Sequence, residues 1–294
     1  MSDVRLTING SAAAAVRGAA RGHVEEAVRA LRSTRPSGDQ VHLARKAIKK
    51  GRAALRLLRV TLAKVTYRRE NEAMRAAAHA LDPVRDATVL LRALVGLRAR
   101  RAPLARDRAT AALMRTLQQR QRLAQHELRA RPERLAAARS TLDQVQARAR
   151  RWHVRHDGWR TLGPAFRRIY RTGRRAARHA KRRPDSLTLH EWRKQIQYLR
   201  HALQILEPLQ PKVPAKAAHR ARQVADFLGE DHDLALLRAA ASDFARQRQL
   251  SATTLLAAID RRRKHLQARA IPIGQQLFLR RARKMEARVV DGRP

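Results

Sequence analysis

Val41-His42-Leu43-Ala44-Arg45-Lys46-Ala47-Ile48-Lys49-Lys50-Gly51-Arg52 is the stretch whose periodicity decides the fold. At about 100° per residue, Val41, Ala44, Ile48, Gly51, Leu55, Leu58 and Leu62 line up three and four apart. That spacing belongs to a helix with one buried face. The design returns as Leu189-His190-Glu191-Trp192-Arg193-Lys194-Gln195-Ile196-Gln197-Tyr198-Leu199-Arg200, with Leu189, Trp192, Ile196, Leu199, Leu203 and Leu206 on its seam. The offset from His42 to His190 is 148 residues, about half of the 294-residue chain. Pro36 and Pro184 each stand six residues ahead of the motif histidine. The chain is therefore expected to be all-α, built from an internal duplication with halves at 1–155 and 156–294.

Further punctuation falls at Asp82-Pro83, Pro103, Pro132, Gly158 to Pro164, Pro208 to Pro214, Gly229 and Ile271-Pro272. These breaks predict helices near 11–34, 40–65, 67–81, 84–101, 104–130 and 133–155 in the first half. The second half is predicted to hold helices near 162–182, 187–207, 213–229, 232–248, 251–270 and 273–290. Strand-like alternation is essentially absent. Arg-rich stretches around 98–115 and 129–151 resemble disorder by charge alone. The spacing of Leu113, Leu117, Leu128, Leu135 and Leu142 argues instead for solvated helices with one apolar edge.

Sixty-six Arg and Lys against 24 Asp and Glu give a formal charge of +42. Self-repulsion of that size opposes compactness, so an anionic partner is expected to use it. Apolar residues make up 44% of the chain, mostly Ala and Leu, and aromatics only 3%, which suits closely approaching helices. The absence of cysteine excludes disulfides and thiolate metal sites. No apolar run reaches the roughly 18–20 residues of a membrane span, and the N-terminal residues lack a signal-peptide pattern. A cytoplasmic protein without membrane attachment is the expectation.

On the first motif helix, His42, Arg45, Lys49, Arg52, Arg56 and Arg59 form a stripe beside the apolar seam, widened by Lys46 and Lys50. The second copy carries His190, Arg193, Gln197, Arg200 and Gln204, with Lys194 beside them. Arg presents a planar fork that grips phosphate oxygens, Lys adds point charge, and His adds one or two N–H donors. Cationic neighbours should depress the histidine pKa values and bound phosphate should raise them. A charged stripe on a bundle helix is ordinarily just its solvated face. Here no carboxylate interrupts the first stripe, and His-x-x-Arg-Lys recurs in the other half, so a phosphate-binding face is expected.

These paired helices resemble the signature of the CHAD family, the conserved histidine α-helical domain. Val84-Arg85-Asp86 is similar to the family's Leu-Gly-x-x-Arg-Asp element, and Leu228-Gly229 with His232-Asp233 to its second copy. The likeness covers essentially the whole chain. It implies two pseudo-symmetric antiparallel helical bundles forming one compact unit with a basic groove that binds inorganic polyphosphate, with members found on polyphosphate granules. Residue by residue it points to His42, Arg45, Lys46, Lys49, Arg52 and Arg56, with His190, Arg193, Lys194 and Arg200. The second copy departs from the pattern at Gln197 and Gln204, so the first stripe is expected to dominate binding. Some CHAD proteins also carry a triphosphate-tunnel enzyme domain, for which this length leaves no room.

Glu230-Asp231-His232-Asp233 is the one acidic cluster and invites a metal-phosphohydrolase reading, with His219, Asp226 or Asp260 as further ligands. Acidic residues capping a helix N-terminus are the plainer reading. The repeat favours it, because Arg85 stands where the second half has His232 and cannot ligate a metal. Asp86 and Asp233 are shared, and each is expected to pair with a motif-helix Arg. No Gly-rich phosphate loop is present. No catalysis, metal or cofactor is expected. Single-strand nucleic-acid binders offer aromatic platforms and the motif faces carry only Tyr198, so the alternative ligand is duplex nucleic acid, gripped through its backbone. Basic runs at Arg98–Arg101, Arg148–Arg151, Arg167-Arg168, Arg174-Arg175, Arg261–Lys264 and Arg280–Lys284 would either extend the groove or form a second anion surface.

Overall fold

The computed structural model describes residues 12–154, 159–208 and 214–290, with only the backbone of Trp159, Arg160 and Val290. Among them every regular element is helical: α1 (Ala12–Ala30), α2 (Gly38–Leu57), α3 (Lys64–His79), α4 (Asp82–Ala99), α5 (Ala102–Arg106) and α6 (Arg108–Ala130). There follow α7 (Pro132–Ala149), α8 (Trp159–Arg182), α9 (Ser186–Leu206), α10 (Ala215–Arg248), α11 (Thr253–Leu277) and α12 (Ala282–Val290). A 3₁₀ turn, Leu58–Val60, extends α2. The expected helix ends at Ser11, Arg155 and Val213, and the join at 155/156 with Gly158, lie outside the described residues.

The motif helices α2 and α9 begin on purpose-built caps. Ser37 Oγ accepts from the Gln40 backbone N–H at 3.2 Å while Gln40 Oε1 accepts from the Ser37 N–H at 2.7 Å, a full capping box. Asp185 Oδ1 accepts from the Thr188 N–H at 2.8 Å and caps α9. Both apolar seams are buried as their spacing requires, and each fully buried Leu or Ile contributes about 1.5–3 kcal/mol. Leu113, Leu117, Leu128, Leu135 and Leu142 are buried as well.

Three breaks differ from expectation. The 104–130 segment divides at Asp107, whose carboxylate caps α6 through the Thr110 N–H. Gly229 does not end a helix, because α10 runs unbroken for 34 residues and stops only at Gln249, in the left-handed region at φ 52°. Pro272 lies inside α11. Its ring sits on the exposed side while Ala270, Gly274 and Leu277 anchor the same turns in the core, and packing outweighs the lost hydrogen bond. The acidic cluster 230–233 is therefore mid-helix and caps nothing.

α1 packs along α2, α8 and α10 flank α9, and α11 packs along α10. The larger core joins α1, α2, α3, α7, α8, α9 and the first half of α10, with Leu277, Phe278 and Met285 closing its edge. A smaller core joins α4, α5, α6, the second half of α10 and α11. Trp192 on α9 is 1% exposed, and its indole lies directly over the bare Cα of Gly274. Only glycine permits that approach. α2 and α9 touch each other, α4 lies against α2 and α10 against α9. Between these four helices a cleft is left open.

Candidate functional site

The cleft has a volume of about 880 Å³ and is lined by ten Arg and Lys side chains against three carboxylates. From α2 come His42, Arg45, Lys46, Lys49 and Arg52, and from α9 His190, Arg193, Lys194 and Arg200. The two stripes, 148 residues apart in sequence, thus face one space. The stripe's other three cations, Lys50 and Arg56 of α2 and Arg59 of the 3₁₀ turn, do not line the cleft. Lys50 turns to Glu26 of α1, 3.9 Å away. Arg59 lies over the Tyr67 ring at 5.0 Å, and Arg56 over the Tyr198 ring at 3.8 Å. The wide stripe drawn on a helical wheel is narrowed because α1 and α3 occupy its flanks.

Sequence reasoning missed the wall supplied by α4. Arg85, Arg92 and Arg100 line the cleft with Val89 and Gly96, a set with helical three-, four- and seven-residue spacing. The sequence offered Arg85 only within the Val84-Arg85-Asp86 element and Arg100 only within the basic run Arg98–Arg101, and the periodicity that joins them through Arg92 is legible in it. Arg85 reaches from α4 toward α10. Its Nη1 donates to Asp86 at 2.7 Å, and its Nη2 lies 3.7 Å from Asp233 of α10. Asp86 thus pairs with its neighbour Arg85, contrary to the expectation of a motif-helix arginine.

Arg45 and Arg193 are equivalent in the repeat and differ in their surroundings. Arg45 Nη1 donates to the Ala78 carbonyl and pairs with Asp82, the first residue of α4. The second half has Gly229 where the first has Asp82, so Arg193 lacks that partner; Asp233 is the carboxylate that acts on it electrostatically. The Nε donors of Arg45, Arg193 and Arg200 are buried without a hydrogen-bond partner in the protein, as is Asp233 Oδ1. Unmet buried donors of charged groups cost free energy, and all four residues also line the cleft.

The electrostatics follow from crowding cations away from water. Lys49, whose exposed atoms look into the cleft, has its pKa lowered to about 8, first by loss of hydration and then by Arg193, Arg45 and Arg85. Arg45, Arg52 and Arg193 lie below the usual guanidinium value, chiefly through burial. His42 and His190 are likewise depressed, by desolvation ahead of their cationic neighbours. His190 Nδ1 lies 3.3 Å from Nδ1 of His232, with ring centroids 4.7 Å apart. Desolvation, then Arg193 and His190, push His232 down to about 3. This pair is neutral at pH 7, one ring donating and the other accepting.

The acidic residues of α10 are engaged with arginines. Glu230 takes a two-pronged grip from Arg262 at 2.8 and 2.9 Å, and Asp231 accepts from Arg263 at 3.1 Å and Gln267 at 2.8 Å. Asp226 accepts from Arg200 at 2.6 Å, and Asp260 pairs with Arg238 at 2.8 Å. Among the described residues no three His, Asp or Glu side chains gather as a metal-ligand set. The arrangement presents donors to an anion of many oxygens.

A profile of the CHAD domain matches residues 12–242. The chain belongs to the CHAD family. Among solved structures it is similar to PptA from Streptomyces chartreusis, with a TM-score of 0.63 and 16% identity over 92% of this chain and 98% of that one. It is also similar to the CHAD domain from the plant Ricinus communis, with a TM-score of 0.63 and 16% identity over 98% of this chain and 94% of that one. At that identity the likeness is one of fold. No curated protein matches.

Proposed function

We propose that this CHAD protein binds inorganic polyphosphate in the cleft between α2, α4, α9 and α10, without turning it over. The observation that carries the reading is the convergence on one cleft of ten Arg and Lys side chains from α2, α4 and α9, the guanidinium forks of Arg45, Arg193 and Arg200 among them, against three carboxylates. Phosphate oxygens are the acceptors such forks match best. Lys46, Lys49, Arg85, Arg92 and Lys194 supply further charge along the walls. Of the carboxylates that a hydrolytic metal site would need, Asp226, Glu230, Asp231 and Asp260 are engaged by arginines, and Asp233 stands 3.7 Å from Arg85. Base recognition has little support, since Arg56 covers the ring of Tyr198. A base-free polymer fits better than single-stranded nucleic acid. Association with polyphosphate granules follows if the cleft holds long chains. Among the described residues no helix is long and apolar enough to cross a membrane.

The test is a competition between long-chain polyphosphate and single-stranded DNA of matched charge across a salt series. Polyphosphate should win at physiological salt, and Arg45→Glu with Arg193→Glu should abolish its binding. The reading fails if DNA wins or the double variant binds normally. Phosphate release dependent on added divalent metal and lost in Asp233→Ala would overturn the non-catalytic part.

A further inference from the structure

The cleft takes no residue from α8, yet α8 carries more Arg and Lys than any other helix. Its sequence, from Trp159 to Arg182, contains no Asp or Glu. Leu162, Phe166, Ile169, Gly173, Ala176 and Ala180 are buried and mark the core side. Directly opposite, at 100° per residue, stand Arg168, Arg171, Arg175, Arg178 and Arg182, all exposed. Among the described residues none of these five has a carboxylate within ion-pair distance. On the flank Arg167 pairs with Glu286 of α12 at 3.3 Å, and Arg174 and Lys181 widen the ridge. Like charges three and four residues apart each cost a helix a few tenths of a kcal/mol, and excess charge of this kind is expected to serve an anionic partner.

We propose that this ridge is a second binding surface, separate from the cleft, for the backbone of duplex nucleic acid. Shape distinguishes the two surfaces. The cleft is concave and takes a thin strand, whereas the ridge is convex, with a helix's width of about 10–12 Å, matching a major groove about 12 Å wide. From Arg168 to Arg182 the ridge is about 21 Å long, over which one strand of a duplex passes about six phosphates. Its outer face carries no Phe, Tyr or Trp on which a base would stack. Recognition is therefore of phosphates, without sequence preference.

The test uses the full chain and a random-sequence duplex of about 20 base pairs, followed by fluorescence anisotropy from 50 to 200 mM salt. Arg171→Gln/Arg175→Gln/Arg178→Gln should weaken duplex binding at least tenfold and reduce the slope of log K on log salt by about 2.7, or 0.9 per lost contact. Polyphosphate affinity should not move. The matching Arg→Lys triple keeps the charge and should keep the slope. Arg45→Glu with Arg193→Glu should leave duplex binding intact. Failure of the native chain to bind duplex, an unchanged slope in the Gln triple, or loss of duplex binding in the cleft variant each overturns the proposal. Loss of polyphosphate binding in the Gln triple does so too, since the ridge would then belong to the cleft.

Discussion

Gly229→Asp should shut the second arginine as Asp82 shuts the first. Arg45 is 13% exposed and held by Asp82 and the Ala78 carbonyl, whereas Arg193, which lines the same cleft, has Gly229 at the matching place. A Cβ at Gly229 meets no atom within 4 Å, so an aspartate is accommodated without strain. At an effective dielectric near 20, two unit charges 4 Å apart attract by about 4 kcal/mol. Desolvating the new carboxylate takes back part of that, and hydrogen bonds to charged groups net about 1.5–3 kcal/mol. The variant should therefore lose about tenfold to a hundredfold in polyphosphate affinity. Gly229→Ala is the control. It should bind as the native chain does and gain about 1 kcal/mol of stability from helix propensity. Asp82→Gly is the reciprocal change and should tighten binding about tenfold by releasing Arg45. Calorimetric titration at 0.15 M salt reads all three. Gly229→Asp binding within twofold of native, or a folded Asp82→Gly that binds more weakly, would refute the reasoning. Counting cations favours the first stripe; counting their partners favours Arg193.

Lys49 should give the site a pH dependence. With its pKa lowered to about 8, it loses its proton as pH rises from about 7 to 9.5, and polyphosphate affinity should fall over that range. Lys49→Arg should flatten the profile. His201 is buried with Nδ1 3.1 Å from Gln204 Oε1, and desolvation lowers its pKa to about 4. The unfolded chain protonates it near 6.5 while the folded chain does not, so its contribution to stability falls as pH drops from 6.5 toward 4. His201→Gln should show a shallower loss in urea titrations across that window. Gly274→Ala should destabilise by about 1–3 kcal/mol, because its Cβ would lie 2.8 Å from Trp192 Cη2 and closer still to Cζ2. A urea midpoint equal to that of the native chain would show that the indole can move.

Much of the molecule could be read in advance. The seams through Ile48 and Ile196 were legible because helical periodicity is a local property of the chain. The motif pointed to the cleft for the same reason, since phosphate chemistry requires those side chains at helical spacing. Errors arose where local signals compete with packing. Gly229 and Pro272 are breakers in isolation, yet the neighbours of α10 and α11 stabilise the helix by more than one poor residue costs.

The sequence alone determined an all-α fold, a repeated basic helix and a large unbalanced positive charge, since periodicity and charge are sums over neighbours in the chain. Only the tertiary structure decided which cations meet. It sent Lys50 to Glu26, laid Arg56 over Tyr198, brought the α4 wall with Arg85 to the cleft, and left Arg193 without the partner that Arg45 has. Charge acts over a few ångströms, and only folding sets those distances.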